Sequence, residues 1–247
     1  MFDLKGKVVA ITGAAGGLGK AFALAFAAEG ASVAVCDKNI SGAIETAQLI
    51  PDAMAIEVDV ANEKSTENMA QLIVEKYGKI DILINNAAIY ATIKRKPFYE
   101  LSEEEWDLVM NVNLKGVWLV SKAVFPFMKG KNYGKIINIS SATVMSGSPM
   151  WSHYVASKGG VIGFSRSMAK ELGDFNINVN VIAPGFTLTD ASLSLIENAN
   201  KYGVDRGAIK RPSSADDIVG TALYLASSAS DFVTGQTIVV DGGKQFI

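Results

Sequence analysis

Soft metal ligands and disulfide partners are nearly missing from this 247-residue chain, which has one cysteine, Cys36, and one histidine, His153. A lone cysteine forms no internal disulfide, and one thiol with one imidazole is too small a set for a zinc cage. No metal site is expected. Charge is scarce too: Asp, Glu, Lys and Arg make up 19% of the chain, against about 25% in ordinary globular proteins. The 23 basic and 25 acidic side chains leave a formal charge of −2, which gives nucleic acid no electrostatic footprint. With 6 prolines and no Pro/Gly/Ser-rich tract or internal repeat, nothing divides residues 1–247, so one domain is expected. Uninterrupted apolar runs are short. The longest, Ala21 to Ala28, is closed by Lys20 and Glu29 and falls well below the ~18 residues of a membrane span. Neither a membrane segment nor a signal peptide is expected, which implies a cytoplasmic protein.

What the chain does have is 49% hydrophobic residues in a recurring order. Short Val/Ile-rich runs alternate with longer segments of helical period, the pattern of βαβ units around a mostly parallel, doubly wound sheet with helices on both faces. The strand-like runs are seven: Lys7 to Thr12, Ser32 to Cys36, Ala53 to Val58, Ile80 to Ile84, Lys135 to Ile139, Ile177 to Ile182 and Thr237 to Val240. Most are continuous apolar runs, as strands covered on both faces should be. Ser102 and Glu105 form a capping box that starts a helix reaching about Met128, with Leu101 and Trp106 as its staple. A helix from Glu63 to Tyr77 is closed by Gly78. Residues 187–211 break the rhythm. Asp190 can cap a short helix carrying Leu193, Leu195 and Ile196, and Gly203 and Gly207 loosen the stretch after that helix, making this segment either a substrate lid or an ordinary surface connection.

In a sheet of this kind ligands bind beyond the carboxyl ends of the strands, and the polar residues cluster there. The first strand runs into Gly13, Gly17, Leu18 and Gly19, a cradle for a dinucleotide pyrophosphate at a helix N-terminus. The second strand ends in Asp37, placed to accept hydrogen bonds from a ribose and to repel a 2′-phosphate, so the cofactor is expected to be NAD. The remaining ends supply Asp59, Asn85-Asn86, Ser140-Ser141 and Pro184-Gly185. Tyr154 and Lys158 stand one helical turn apart on a common face. A fixed ammonium within ~4 Å of a phenol contributes on the order of 4 kcal/mol at an effective dielectric of about 20, roughly three pK units. The pair is therefore expected to bring Tyr154 toward neutrality as a proton-transfer group.

Taken in order, Thr12-Gly-x-x-x-Gly17-x-Gly19, Asn85-Asn86-Ala87, Asn113, Ser141, Tyr154-x-x-x-Lys158, Pro184-Gly185 and the closing Val240-Asp241-Gly242-Gly243 resemble the short-chain dehydrogenase/reductase family over essentially the whole chain. The resemblance implies a catalytic tetrad. Tyr154 is its acid/base, Ser141 holds the substrate oxygen, Lys158 lowers the tyrosine pKa and binds the nicotinamide ribose, and Asn113 positions a relay water. It further implies that Asp59 and Val60 contact adenine, that Asn86 and Ala87 line the dinucleotide, and that Thr187 and Thr189 reach the carboxamide or phosphates. Ala88, where the family normally has Gly, and Phe186, where a smaller aliphatic residue is usual, depart from the pattern.

The expected substrate walls are Tyr90, Ile93, Thr143, Met145, Met150, Trp151, Phe186 and Leu188, an apolar and aromatic set. Together with the Asn85 to Tyr90 segment and Ser152-His153-Tyr154, it is similar to the NAD-dependent 1-arylethanol (1-phenylethanol-type) dehydrogenases of that family. The expected activity is hydride transfer between NAD(H) and a hydrophobic, small-molecule secondary alcohol or ketone. The alternatives are a 3-oxoacyl-thioester reductase and a non-catalytic NAD(H) sensor. His153 is expected at the rim, one residue round the helix from Tyr154, and Lys94-Arg95-Lys96 as either a solvated loop or a welcome for an anionic substrate. Gly159, Gly160 and Gly163 leave a bare helix face, and the family analogy implies a homotetramer.

Overall fold

Alternating side chains along each strand feed two cores, one on either side of a single sheet. In β1 (Val8–Thr12), Val9 and Ile11 join one core while Val8 and Ala10 join the other. The same division runs through β2 (Ser32–Asp37), β3 (Met54–Glu57), β4 (Ile82–Asn85), β5 (Gly134–Ile139) and β6 (Ile177–Pro184). The computed structural model describes residues 2–90, 92–189, 192–193 and 198–246. Counting the short pair β7 (Thr187–Leu188) and β8 (Ser213–Ser214) before it, the last strand is β9 (Thr237–Val240). Seven strands form one sheet in the order β3-β2-β1-β4-β5-β6-β9, with every pairing parallel. All seven expected strands form, with ends shifted by at most two residues.

One face is covered by α1 (Gly17–Ala28), α2 (Ile40–Ala47) and a helix from Asp216 to Ala226, through Phe22, Phe26, Ala43, Ile218 and Leu223. The other is covered by α3 (Glu63–Tyr77), α5 (Gly116–Lys131) and a long helix from Ser152 to Leu172, through Met69, Ile73, Val124, Met128 and Met168. Each fully buried Val, Leu, Ile or Phe contributes about 1.5–3 kcal/mol, so the two layers together supply the main packing energy that holds the sheet. The remaining helices are α4 (Glu103–Met110) before α5, then α6 (Thr143–Ser146); the two long ones just described are α7 (Ser152–Leu172) and α8 (Asp216–Ala226). Gly78 closes α3 at φ 75°, and Ser102 and Glu105 make both bonds of the capping box at the start of α4.

The expected helix from Ser102 is longer and less regular than its periodicity implies. Helix α4 passes through a π-helical turn, Asn111–Lys115, into α5, and the turn carries the buried Asn113. By length and composition the stretch Glu103–Lys131 would suffice to cross a bilayer, which a search for unbroken apolar runs misses. In the fold its Val117, Leu119, Val120, Val124 and Met128 are buried. The pairing of Thr187 with Ser213 and Leu188 with Ser214 ties together the two ends of the segment expected as a lid. Asp190, Leu195 and Ile196 lie outside the described residues. The topology reverses between β1 and β4, and the crevice beyond their carboxyl ends is where the polar residues gather.

Candidate active site

At the end of β1 the backbone turns through Gly13 at φ +66°, and a Cβ there would stand 2.7 Å from the Ala87 Cα. Gly19 is closer still to its neighbours: a methyl would collide with the Gly13 carbonyl and stand 2.7 Å from Asn86 Nδ2. Asn86 braces this loop, donating from Nδ2 to the carbonyls of Thr12 and Gly13 at 3.0 Å each. Its backbone N–H and that of Ala87 donate to Thr12 Oγ1. Above the loop there is room, since a Cβ at Gly16 would meet nothing within 4 Å. Helix α1 begins here without a side-chain cap and without an acid in its first turn, which leaves its leading N–H groups available to an anion. These features fit a dinucleotide pyrophosphate.

Asp37 stands beside the loop, its carboxylate accepting from the backbone N–H of Ala15 and Asn39 at 2.9 Å each. Lys38 turns away from it and pairs with Asp59 at 2.7 Å; that hydrogen bond holds the Asp59 carboxyl below its ordinary range. The Val60 side chain is packed in the core, with its Cγ2 only 2.8 Å from where a Cβ at Gly116 would be. Asn85 also leaves the cleft. Its Nδ2 donates to Ser121 Oγ and Asn138 Oδ1, and Asn138 continues to Ser165, a buried polar ladder joining β4 and β5 to α5 and α7.

A cleft of about 370 Å³ opens beyond the glycine loop and takes in Gly17, Leu18, Ser141, Tyr154 and Lys158 together. Across it, Pro184, Gly185, Thr187 and Thr189 line the wall, with the Thr189 side chain 3.8 Å from where a Gly17 Cβ would be. The two serines after β5 part company. Ser140 is committed to the core, donating to the Lys158 carbonyl at 2.8 Å. Ser141 Oγ instead accepts from the N–H and the hydroxyl of Thr143, at 3.2 and 2.9 Å, which leaves its own proton free to point into the cleft.

Tyr154 and Lys158 are 6% and 3% exposed, and the Lys158 Nζ lies 5.9 Å from the tyrosine ring centre while donating to the Ile139 carbonyl at 2.8 Å. Their protonation differs from the expectation of a phenol drawn toward neutrality. Burial, with the Tyr90 hydroxyl nearby, pushes the Tyr154 phenol above its ordinary value, and the Ser141 hydroxyl offsets this only in part. Burial brings the Lys158 ammonium down to about 8. The physical reason is that burial penalises the charged form of each group. The resting pair is a protonated phenol beside an ammonium that gives up its proton readily.

Asn113 is 0% exposed, and its side chain is fully engaged. Its Oδ1 accepts from the Ile89 N–H at 2.8 Å, while Nδ2 donates to the Ile89 carbonyl and to Ser157 Oγ. Ser157 in turn donates to the Tyr154 carbonyl at 2.7 Å. The Asn113 side chain therefore braces the wall and the helical turn beneath the tyrosine.

The family model described as Enoyl-(Acyl carrier protein) reductase matches residues 13–245. The chain belongs to the short-chain dehydrogenase/reductase family. It is 41% identical to the 3-oxoacyl-[acyl-carrier-protein] reductase FabG of Thermotoga maritima over 244 residues, 97% of this chain and 98% of that one. A 3-oxoacyl-[acyl-carrier-protein] reductase of Synechocystis is 37% identical over 98% of both chains. Among solved structures, a protein described as a short-chain alcohol dehydrogenase from Sinorhizobium meliloti superposes with a TM-score of 0.93 at 34% identity, covering 98% of each chain. The protein is accordingly an oxidoreductase of a nicotinamide-dependent family.

Within this short-chain dehydrogenase fold, several expected wall residues lie elsewhere. Tyr90, Thr143, Trp151 and Phe186 line the cleft, but Met145, Leu188, Ile93 and Met150 do not. Leu188 is held in the β7–β8 pair, Met145 sits in the short α6, and Met150 faces solvent at a positive φ. His153 is no rim residue, being 2% exposed and held below its ordinary pKa by burial. Position on the helix wheel does not reveal this burial, which brings Glu105 and Lys96 near the ring. Three basic residues escaped the expected wall, Arg95, Arg206 and Lys244, together with Tyr202. For Arg95 the signal was present in the charged loop; Arg206 and Lys244 are brought in only by the chain's return from distant segments.

Proposed function

We propose that this chain reduces a 3-oxoacyl thioester to the 3-hydroxyacyl thioester with NADH, and runs the reverse reaction on the alcohol. Relatives named as 3-oxoacyl-[acyl-carrier-protein] reductases, matched over nearly the whole chain, favour this substrate over an aromatic alcohol. The observation that carries the chemistry is the convergence of the Ser141 hydroxyl, the buried Tyr154 phenol and Lys158 on one cleft beside the glycine loop. A bound nicotinamide supplies or accepts the hydride at the reacting carbon. Ser141, oriented by Thr143, donates a hydrogen bond to the substrate oxygen, which gains negative charge as hydride arrives. Tyr154, kept protonated by its surroundings, delivers its proton to that oxygen. Lys158 as ammonium then stabilises the phenolate, working against the burial that keeps the phenol protonated at rest. Asn113 acts through Ile89 and Ser157 to hold the tyrosine turn in place.

For the cofactor, NAD is favoured over NADP by Asp37 at the loop and by the engagement of Lys38 with Asp59, which turns the nearest ammonium away from a 2′-phosphate. The adenine side remains with Asp59 and the backbone at Val60. An aromatic secondary alcohol is the second reading, supported by Tyr90, Trp151 and Phe186 in the cleft. A sensor without turnover is disfavoured because it needs no oriented serine and buried phenol. The exposed Trp118, lining a hollow with Leu114, Gly160 and Phe164, is the surface proposed for homotetramer contacts. Reduced-nicotinamide absorbance with acetoacetyl-CoA, acetophenone and 1-phenylethanol, each with NAD(H) and NADP(H), tests the reading. Turnover of the thioester with NADH supports it, and turnover confined to the aromatic pair selects the second reading. Tight NADH binding without turnover selects the sensor.

A further inference from the structure

The cleft mouth carries charge of one sign that the hydride-transfer chemistry does not use. Arg206 NH2 and Lys244 Nζ lie 3.0 and 3.4 Å from the point where a Cβ of Gly203 would stand, so two cations converge over one glycine. Gly207 makes room for the lysine stem, with Lys244 Cε 3.5 Å from its own missing Cβ. The loop presenting Lys244 is fixed by Asp241 Oδ1, which accepts from the N–H of Gly243 and Lys244 at 2.9 Å each. From the other wall Arg95 lies over the Trp151 ring at 4.7 Å, and Trp151 is 4.9 Å from the Tyr154 ring. Tyr202 connects the sides: its ring is 4.8 Å from Phe186, and the Arg206 guanidinium is 5.7 Å from its centre. Among the described residues no salt bridge involves Arg95, Arg206 or Lys244. Among the described residues the one carboxylate in the lining is Asp241, whose Oδ1 is taken by the backbone and whose Oδ2 is buried without a partner. Like charges held this close repel unless an anion lies between them.

The geometry points to an anion subsite at the cleft mouth, where Arg206 and Lys244, with Arg95 facing them, hold a carboxylate or phosphate ester on the part of the substrate remote from the reacting carbon. This deepens the oxidoreductase reading and rests on it for the position of the reacting carbon. Burial tends to raise the Tyr202 phenol, yet Arg95 and Arg206 bring it below its ordinary value, in keeping with a strongly positive mouth. A neutral alcohol leaves this charge unused. A free 3-oxo acid or a phosphate-bearing acyl carrier would use it.

Three probes with one acyl group separate the sources: acetoacetate offers a carboxylate, acetoacetyl-CoA offers phosphates, and acetoacetyl-N-acetylcysteamine is neutral. They are titrated calorimetrically into protein saturated with oxidised NAD, where no hydride is available and binding alone is read. At least one charged probe is expected to bind tenfold or more tighter than the neutral one. That ratio should fall toward one in R206Q/K244Q, fall partway in R95Q, and shrink with added salt as the Debye length shortens from ~10 Å at 0.1 M to ~3 Å at 1 M. Preference for acetoacetate identifies a carboxylate, and preference for the CoA ester a phosphate. Equal binding of all three probes to the unmodified protein overturns the proposal, as does a ratio that the substitutions leave unchanged. Failure of the hydride-transfer reading is seen separately, as lack of nicotinamide turnover with any of the probes.

Discussion

Replacing Lys158 by methionine should stabilise the fold at neutral pH while removing its activity. The side chain is 3% exposed, forms no salt bridge among the described residues, and donates a hydrogen bond to the Ile139 carbonyl. Burial brings its pKa from 10.5 to about 8, and at about 1.4 kcal/mol per unit this costs the folded state on the order of 3 kcal/mol below pH 8. Losing the hydrogen bond takes back about 1 kcal/mol, so a net gain of about 2 kcal/mol is expected for K158M at pH 7. The pH dependence carries its own signature. Below pH ~8 both folded and unfolded lysine are protonated and the gain is constant; between ~8 and ~10.5 only the unfolded form keeps its proton, so the parent protein catches up. Urea unfolding of both proteins at pH 7 and pH 10 measures this, and the gap should close to near zero at the higher pH. A variant less stable than the parent at pH 7, or a gap indifferent to pH, would refute the assignment of a buried, penalised ammonium.

Other outcomes are expected from the same geometry. Ketone reduction should decline as pH rises through about 8, because the ammonium that supports the tyrosine anion is lost; a kcat/KM profile checks it. S141A should lower kcat by about 10²–10³-fold with little change in NADH affinity, as measured by steady-state kinetics and fluorescence titration. T143V should give a smaller loss in the same assay, since it removes one of the two donors that orient Ser141. G19A places a methyl against the Gly13 carbonyl and should cost about 1–3 kcal/mol of stability and most of the dinucleotide affinity. D37S should shift the NAD-to-NADP preference by about tenfold or more toward NADP, read as a ratio of kcat/KM values.

How far the sequence reached depended on whether a feature is local. The strands were legible because apolar runs covered on both faces need no partner to be recognised, and Gly78 and the Ser102/Glu105 box closed their helices as short-range chemistry requires. Tyr154 and Lys158 were found by helical spacing and Ser141 through the family resemblance, and the cleft brings them together. The protonation of Tyr154 was not legible, since burial, the largest cause of its raised pKa, is a property of the packed helix. The same applies to His153. The roles of Asn85 and Asn86 divided for a comparable reason: adjacent residues at a strand end face opposite ways, one into the buried ladder and one onto the glycine loop. The π-helical turn at Asn113 has no periodic signature beyond a poor helix former in mid-helix. Arg206 and Lys244 meet over Gly203 only after β7 pairs with β8 and the chain passes β9, a juxtaposition no window of sequence contains.

Proton transfer by Tyr154 is tested most directly by Y154F, which removes one oxygen from a site otherwise unchanged. With acetoacetyl-CoA and NADH, kcat should fall by about 10²–10⁴-fold while NADH still binds and the variant unfolds at a similar temperature. Turnover within a few-fold of the parent enzyme would contradict the account.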